Sequence, residues 1–414
     1  MRPRVEAQPL RWRILARIRR FFWPSLRRPF PDFLTPIPCL PVILARRPRA
    51  NGLSKDLLGC KMGGISLQAD PPANRCMIRF FPTYARRTDS GWRATVAGMV
   101  ARPLPQQSRR RALAVAVFRR MLDLDEVDLA SEVFRRRADC FLFQRMPGQP
   151  VRIRLADRLI EAGISDRSGH FNASFELSDD EVAVHAHAGD PGSRWLPYDA
   201  EAGEEELVAA ADCGAGRIHL IEGQGLSVIS DIDDTVKVSN VADRRELLRN
   251  TLLREFRAVP GMAAAYRRWE AAGAAFHYVS ASPWQLSTCL CDFLGSASLP
   301  AGSMHLKLFR LKDSTPLGRL TARKRSKRRA IEQIMADFPD RRFLLVGDSG
   351  ERDPEVYAAV ARRRPDQVAG VLIRRVPDRK AASHLSLRFD KLARRLPTGT
   401  LQTFTAADEL PQLP

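Results

Sequence analysis

Strands and helices alternate in the sequence from about 224 to 378, and this alternation constrains the fold more than any other feature. Apolar runs typical of strands end near positions 230, 280, 347 and 374, and stretches with helical spacing separate them. Elements in this order form a parallel sheet with helices on both faces. We therefore predict an α/β domain over 223–378.

A different composition marks the first 73 residues of the chain. The segment from Leu10 to Phe30 is rich in arginine, and the segment 31–73 holds many prolines and glycines. The first part could form an amphipathic helix that lies on an anionic membrane, and the second reads as a linker. We predict a basic N-terminal tail and linker over 1–73, with a floppy tail as the alternative to the helix.

Short alternating apolar runs follow a basic helix in the segment 74–222. These runs lie at 151–155, 171–177 and 182–184, and a turn signal separates the first two. This pattern predicts a small, mostly-β, sandwich-like accessory domain. The last segment, 379–414, shows no such pattern, and we predict a C-terminal tail.

The chain is strongly basic, with a formal net charge of +20 over 414 residues. This charge favours an anionic partner, and the alternative is that arginine merely replaces lysine on the surface. We expect a phospholipid at a membrane surface, no nucleic-acid partner and no obligate protein partner. No apolar run is long enough to span a bilayer. The seven cysteines lack metal-site spacing and favour a reduced, cytoplasmic protein. The basic charge adds the expectation that this protein is peripheral to the membrane.

Carboxylates and hydroxyls follow three of the predicted strands. Asp231 and Asp233 come after the first strand, Ser280 after the second, and Asp348 and Asp353 after the third. Ligands of open parallel sheets bind beyond the carboxyl ends of the strands, so we expect these side chains to meet at one edge. Taken singly, the aspartates could belong to turns, and Ser280 could cap the next helix.

A lysine is predicted to join this edge from the helix at 325–338. Lys327 shares a stripe at helical spacing with Ile331, Ile334 and Phe338, and the apolar members should pack on the sheet. Lys327 would then lie at the end of the stripe nearest the site. Lys324, one turn earlier, is the alternative.

This set of residues suits magnesium-dependent phosphoryl transfer. One aspartate can attack phosphorus while the other handles the leaving-group proton. A divalent ion shared by Asp231, Asp348 and the phosphate would cancel their repulsion, and hard oxygen ligands favour Mg²⁺. Lys327 and Ser280 would neutralise and orient the phosphate oxygens. Lys237 follows the first aspartates and could contact the phosphate or headgroup.

The order Asp-x-Asp-x-Thr, Ser, Lys, Gly-Asp-x-x-x-x-Asp resembles the haloacid dehalogenase (HAD) superfamily of phosphohydrolases. Three longer segments are similar to the catalytic domain of the actin-patch-associated phosphatidate phosphatases and their bacterial relatives. They are SDIDDTVKVS, FHYVSASPWQL and FPDRRFLLVGDSGERDPEVY. The resemblance implies a HAD-like Rossmannoid sheet and magnesium-dependent conversion of phosphatidic acid to diacylglycerol and phosphate. It also implies that Asp231 is the nucleophile and forms an aspartyl-phosphate, and that Asp233 is the acid and base.

The predicted site has three groups of residues. The catalytic pair is Asp231 and Asp233. The phosphate-binding group is Thr235, Lys237, Ser280, Ala281 and Lys327. The metal-binding group is Asp231, Asp233, Asp348 and Asp353.

Two other functions stay open at this point. The same chemistry could act on a soluble phosphomonoester or on a nucleic-acid end phosphate. The chain could also be a non-catalytic basic scaffold that binds lipid or nucleic acid. A phosphatidate phosphatase, a phosphoric monoester hydrolase of lipid metabolism, is the leading hypothesis.

Overall fold

The computed structural model describes residues 76–185, 187–188, 194–201, 207–209, 216–307, 316–376 and 382–413. The predicted basic tail, its amphipathic helix and its linker lie outside these residues. Within the described ranges, no helix combines the length and the apolar character that crossing a membrane requires.

A mostly-β region comes first, as the sequence predicts. Its strands are β1 (Cys76–Phe81), β2 (Thr83–Thr88), β3 (Gly91–Pro103), β4 (Phe143–Arg145), β5 (Pro150–Leu155), β6 (Arg158–Ile164), β7 (His170–Leu177), β8 (His187–Ala188), β9 (Arg194–Ala200), β10 (Leu207–Ala209) and β11 (Gly216–Ile221). Most neighbouring pairs are antiparallel, and the long strand β3 pairs with β1, β2, β4 and β7. Buried side chains such as Trp92, Val100 and Ile153 form the core of this region.

Within the described residues of this region, four α-helices interrupt the strands. They are α1 (Arg109–Leu122), α2 (Glu126–Ala130), α3 (Glu132–Asp139) and α4 (Asp179–His185). The strand predicted at 182–184 is wrong, because these residues belong to helix α4. Ser178 and Glu181 exchange hydrogen bonds between side chains and backbone N–H groups, which is a capping box that starts a helix despite the alternating valines.

The α/β domain follows with six strands and six helices among its described residues. The strands are β12 (Gly225–Ser230), β13 (Ala275–Pro283), β14 (Ser303–Lys307), β15 (Arg341–Asp348), β16 (Val368–Arg374) and β17 (Leu401–Phe404). The helices are α5 (Arg244–Leu252), α6 (Met262–Ala271), α7 (Ser287–Ser296), α8 (Pro316–Asp337), α9 (Asp353–Arg363) and α10 (Ala382–Ala393), with short 3₁₀ turns at Trp284–Leu286 and Ala407–Glu409.

The sheet of this domain has the order β14-β13-β12-β15-β16-β17, and every neighbouring pair is parallel. Helices α6 and α7 pack on one face and α8, α9 and α10 on the other, because successive strand residues such as Val228 and Ile229 enter different cores. The predicted α/β fold with helices on both faces is confirmed. The strand order changes direction between β12 and β15, where ligands of such sheets bind.

The end of the chain requires a correction. Residues 379–414 were expected to be a tail, but α10 packs on the sheet through Phe389 and β17 pairs in parallel with β16. The strand β17 has only four residues and one fully buried side chain, Phe404, so its pattern is too short to stand out in the sequence.

The mostly-β region contacts the α/β domain directly. The Tyr84 hydroxyl donates a hydrogen bond to Asp337 Oδ2 at 2.5 Å, and the Phe81 and Trp284 rings stack with centroids 3.9 Å apart. Trp284 follows β13 immediately, so this contact lies next to the edge where the predicted site residues emerge.

Candidate active site

Three buried aspartates meet at the carboxyl ends of β12 and β15. Asp231 follows β12, Asp348 ends β15 and Asp353 begins α9. Each has one carboxylate oxygen within 4.8 Å of the others, and each side chain is almost wholly buried. Residues separated by more than a hundred positions thus converge, as the sequence predicts.

Lys327 lies against this carboxylate cluster (Asp231, Asp348 and Asp353). Its ammonium group donates hydrogen bonds to Asp231 Oδ1 at 2.8 Å and to Asp353 Oδ1 at 2.6 Å. Helix α8 begins earlier than predicted, at Pro316, so Lys327 lies well inside the helix rather than near its start. The side chain of Lys324 lies outside the described part of the chain. Among the side chains that the structure describes, Lys327 is the lysine that contacts the cluster.

Burial and mutual repulsion shape the protonation of the cluster. Burial raises the pKa of Asp231 and of Asp348 well above the usual carboxyl range, and the neighbouring Asp353 raises both further. Burial alone would lower the pKa of Lys327, but the charges of Asp231 and Asp353 raise it well above its ordinary value. The lysine is therefore a cation that only partly offsets three crowded acids.

The donor set fits a divalent cation. One oxygen of each aspartate, Asp231 Oδ2, Asp348 Oδ2 and Asp353 Oδ2, is buried without a hydrogen-bond partner. A buried carboxylate oxygen normally has a partner, so three unpartnered oxygens in one cluster are a donor set that a cation would fit. Carboxylate oxygens are hard ligands that suit Mg²⁺ better than zinc.

The loop after β15 holds Asp348 rigidly. Its Oδ1 accepts hydrogen bonds from the backbone N–H groups of Gly350 at 2.6 Å and Glu351 at 3.0 Å. Glycine is required at 347, because a Cβ there would lie 2.4 Å from Asp353 Oδ2. Gly347 thus lets the backbone approach the Asp353 carboxylate closely.

Asp233 lies outside the carboxylate cluster and is fully partnered. Its Oδ1 contacts Lys237 Nζ at 2.7 Å and accepts a hydrogen bond from the Ser239 hydroxyl at 2.6 Å, while Oδ2 accepts from the Ser282 hydroxyl at 2.7 Å. Burial raises the pKa of Asp233, but Lys237 and these hydrogen bonds outweigh it and lower the pKa to about 2. The Asp233 carboxylate therefore lies apart from the cluster of three unpartnered oxygens, and its predicted part in metal binding stays a prediction.

Residues 226–375 match the protein family described as phosphatidate phosphatase APP1, catalytic domain. This segment is similar to the APP1 catalytic-domain family. The match confirms the resemblance over the α/β domain.

Two fungal proteins show the same relationship. Phosphatidate phosphatase APP1 of Saccharomyces cerevisiae is 36% identical over 154 residues, which are 36% of this chain and 26% of the yeast protein. An uncharacterized protein of Schizosaccharomyces pombe is 33% identical over 163 residues, which are 38% of this chain and 26% of that protein. The chain therefore matches about a quarter of the length of these curated relatives.

The remaining predicted residues of the APP1-type segment occupy different surroundings. Thr235 is fully buried, and its hydroxyl has no hydrogen-bond partner. Ser280 is buried next to Asp233, with its Oγ 3.4 Å from Asp233 Oδ2, and Ala281 is half-buried. Lys237 is 2% exposed and hydrogen-bonds Ser239, so its ammonium group supports Asp233 in this structure.

Three supporting residues were missed by the sequence analysis. Ser239 and Ser282 hold Asp233, and both lie within ten residues of a predicted site residue. The third is Asp234, whose carboxylate accepts backbone hydrogen bonds from Ser239, Asn240 and Val241 and so folds the loop back toward the site. The motif shows these residues, but only the folded loop shows which carboxylate each one contacts.

Proposed function

We propose that this protein is a magnesium-dependent phosphatase that removes the phosphate of phosphatidic acid through an aspartyl-phosphate. One observation carries the proposal: Asp231, Asp348 and Asp353 bring three buried, unpartnered oxygens together beside Lys327, at the edge where the sheet changes direction. The APP1-type catalytic segment contains all four residues, which supports a phosphoric monoester as the substrate.

Asp231 is the residue that attacks phosphorus. Asp231, Asp348 and Asp353 would hold the metal. When bound, Mg²⁺ supplies positive charge that offsets the repulsion between the nucleophile and the phosphate dianion. Lys327 donates a hydrogen bond to Asp231 Oδ1 at 2.8 Å and so orients this carboxylate for attack. The P–O bond to the glyceride oxygen breaks as the bond to Asp231 forms.

Asp233 handles the protons of both steps. In this structure Lys237 keeps it ionised, which is the state that activates water to hydrolyse the aspartyl-phosphate. The approach of a phosphate dianion to Ser280 would raise the pKa of the neighbouring Asp233, because like charges disfavour ionisation. The substrate itself would therefore favour the protonated state that serves the leaving alkoxide.

A lipid substrate fits the charge of the chain. A net charge of +20 attracts the protein to anionic phospholipid, and the yeast relative is named a phosphatidate phosphatase. We propose that the protein acts as a peripheral enzyme at such a surface.

The test is phosphate release from phosphatidate in mixed micelles, with magnesium and with chelator. We expect magnesium-dependent release that Asp231→Asn lowers at least about a thousandfold and that the exposed control Asp366→Asn leaves unchanged. A folded Asp231→Asn protein with wild-type activity would disprove the mechanism.

A second series identifies the substrate. The same preparations are assayed on a soluble glycerol phosphate ester and on a 5′-phosphorylated oligonucleotide. Rates that depend on phosphatidate in micelles support the lipid assignment. Equal or higher rates on a soluble ester would replace it with a soluble-phosphomonoester phosphatase.

A further inference from the structure

Two cysteines from different parts of the chain face each other in the interior. Cys140 caps the end of α3 and Cys289 lies in α7 of the α/β domain. Their sulfur atoms are 3.4 Å apart, and both side chains are buried. The two residues are 149 positions apart, so their contact is a product of the tertiary fold.

We propose that Cys140 and Cys289 form a reversible redox site, in which a disulfide locks α3 to α7. A disulfide requires the sulfurs to close from 3.4 Å to about 2.05 Å, and adjustments of the two side chains and helices would supply that movement. The bond would join the helical segment before β4 to α7, which one 3₁₀ turn separates from the end of β13, where Ser280 and Ser282 lie.

The surroundings favour the thiolate form of Cys289 and the thiol form of Cys140. The Cys140 hydrogen bond lowers the pKa of Cys289 to about 7, and the charge of Arg137 adds to this, although burial opposes it. Arg137 is 3% exposed, and its Nε and Nη1 atoms have no hydrogen-bond partner. A positive charge beside a thiol is the usual setting of an oxidisable cysteine.

The oxidation balances with a hydroperoxide as the oxidant. The Cys289 thiolate attacks the O–O bond, which gives a sulfenic acid and releases the second oxygen as water after protonation. The Cys140 sulfur then attacks the sulfenic sulfur, the S–S bond forms and a second water leaves. Two thiols and one hydrogen peroxide thus yield one disulfide and two waters, and a dithiol reductant restores both thiols.

The experiment uses the full chain, reduced and then treated with one equivalent of hydrogen peroxide. Free thiols are alkylated, and a non-reducing digest is analysed by mass spectrometry. We expect a linked peptide containing Cys140 and Cys289 that disappears on reduction. We also expect oxidation to raise the thermal midpoint by about 5 °C, because a bond across a long loop restricts the unfolded chain.

Variants separate this site from general oxidation. Cys140→Ser and Cys289→Ser should lose both the linked peptide and the thermal shift, whereas Cys291→Ser in the same helix should keep them. Cys140→Ala provides a second substitution if the serine variant does not fold. The proposal is overturned if both thiols stay alkylatable while other cysteines oxidise, or if Cys289 pairs with another cysteine.

Discussion

The two groups of carboxylates at the site differ in how their oxygens are satisfied. Asp233 has hydrogen-bond or ionic partners on both oxygens, whereas Asp231, Asp348 and Asp353 each keep one buried oxygen without a partner. Both groups are buried, with Asp233 9% exposed and the other three at most 1% exposed. Burial alone therefore does not distinguish them, and the difference lies in their partners.

This difference indicates what each group is built to do. A partnered carboxylate is held in one geometry and one protonation state before substrate arrives, which suits proton transfer. An unpartnered, mutually repelling set is unstable by itself and gains most from a cation. The pKa directions agree, because the pKa of Asp233 is lowered while those of Asp231 and Asp348 are raised.

The largest expected effect is a loss of turnover on replacement of Lys327, the lysine that contacts the carboxylate cluster. Lys327→Met removes the cation that fixes Asp231 and Asp353, and we expect kcat on phosphatidate to fall by about 10²–10³-fold. Lys391→Met, at an exposed position of α10, is the matched control and should retain activity. Unchanged kcat in Lys327→Met would remove this lysine from the chemistry.

Two amide substitutions should differ in their effect on the free energy of unfolding. Asp233→Asn leaves Lys237 buried without its counter-ion, and we expect the free energy of unfolding to fall by about 3 kcal/mol. Asp348→Asn relieves repulsion and should leave the metal-free protein equally or more stable. Urea unfolding in chelator measures both, and a large loss in Asp348→Asn would contradict the comparison.

Magnesium should stabilise only proteins with an intact cluster. At a hundredfold excess over the dissociation constant, a ligand adds about 2.7 kcal/mol to the free energy of unfolding. We expect this gain in the wild type and in Asp233→Asn, and its loss in Asp348→Asn. Thermal unfolding with and without Mg²⁺ provides the measurement. Equal magnesium gains in both variants would show that the cation binds elsewhere.

Acid should remove the contribution of Asp233 to the stability of the fold. Its folded pKa of about 2 lies below the unfolded value of about 3.9, so ionised Asp233 stabilises the fold above pH 4. As the pH falls through 2, the free energy of unfolding of the wild type should fall by about 2.5 kcal/mol. Asp233→Asn should not show this loss. Parallel pH profiles of the unfolding free energy in the two proteins would contradict the assigned ion pair.

The smallest effect concerns one hydrogen bond to the partnered carboxylate. Ser282→Ala removes the 2.7 Å bond to Asp233 Oδ2, and we expect kcat to fall about tenfold with little change in magnesium dependence. Ser296→Ala, which removes an exposed hydroxyl at the end of α7, is the control. A wild-type kcat in Ser282→Ala would show that Lys237 and Ser239 suffice to hold Asp233.

Much of the α/β domain and its site could be predicted from the sequence. Apolar runs define the parallel strands, and strand ends place Asp231, Asp348 and Asp353 at one edge, so the carboxylate cluster follows from local pattern and topology. Asp233 could not be placed this way, because its partners Ser239 and Ser282 depend on how two loops fold. The short strand β17 and the helix α4 were missed because sheet pairing and a capping box outweigh weak periodicity.

The most direct test is an anomalous diffraction map of crystals grown with Mn²⁺ as a substitute for magnesium. We predict one strong peak bound by carboxylate oxygens of Asp231 and Asp348, with Asp353 bound directly or through one water and Asp233 not bound. A map without a peak at this cluster, or with the ion bound by Asp233 instead, would contradict the division of the site into a metal-binding and a proton-transferring carboxylate group.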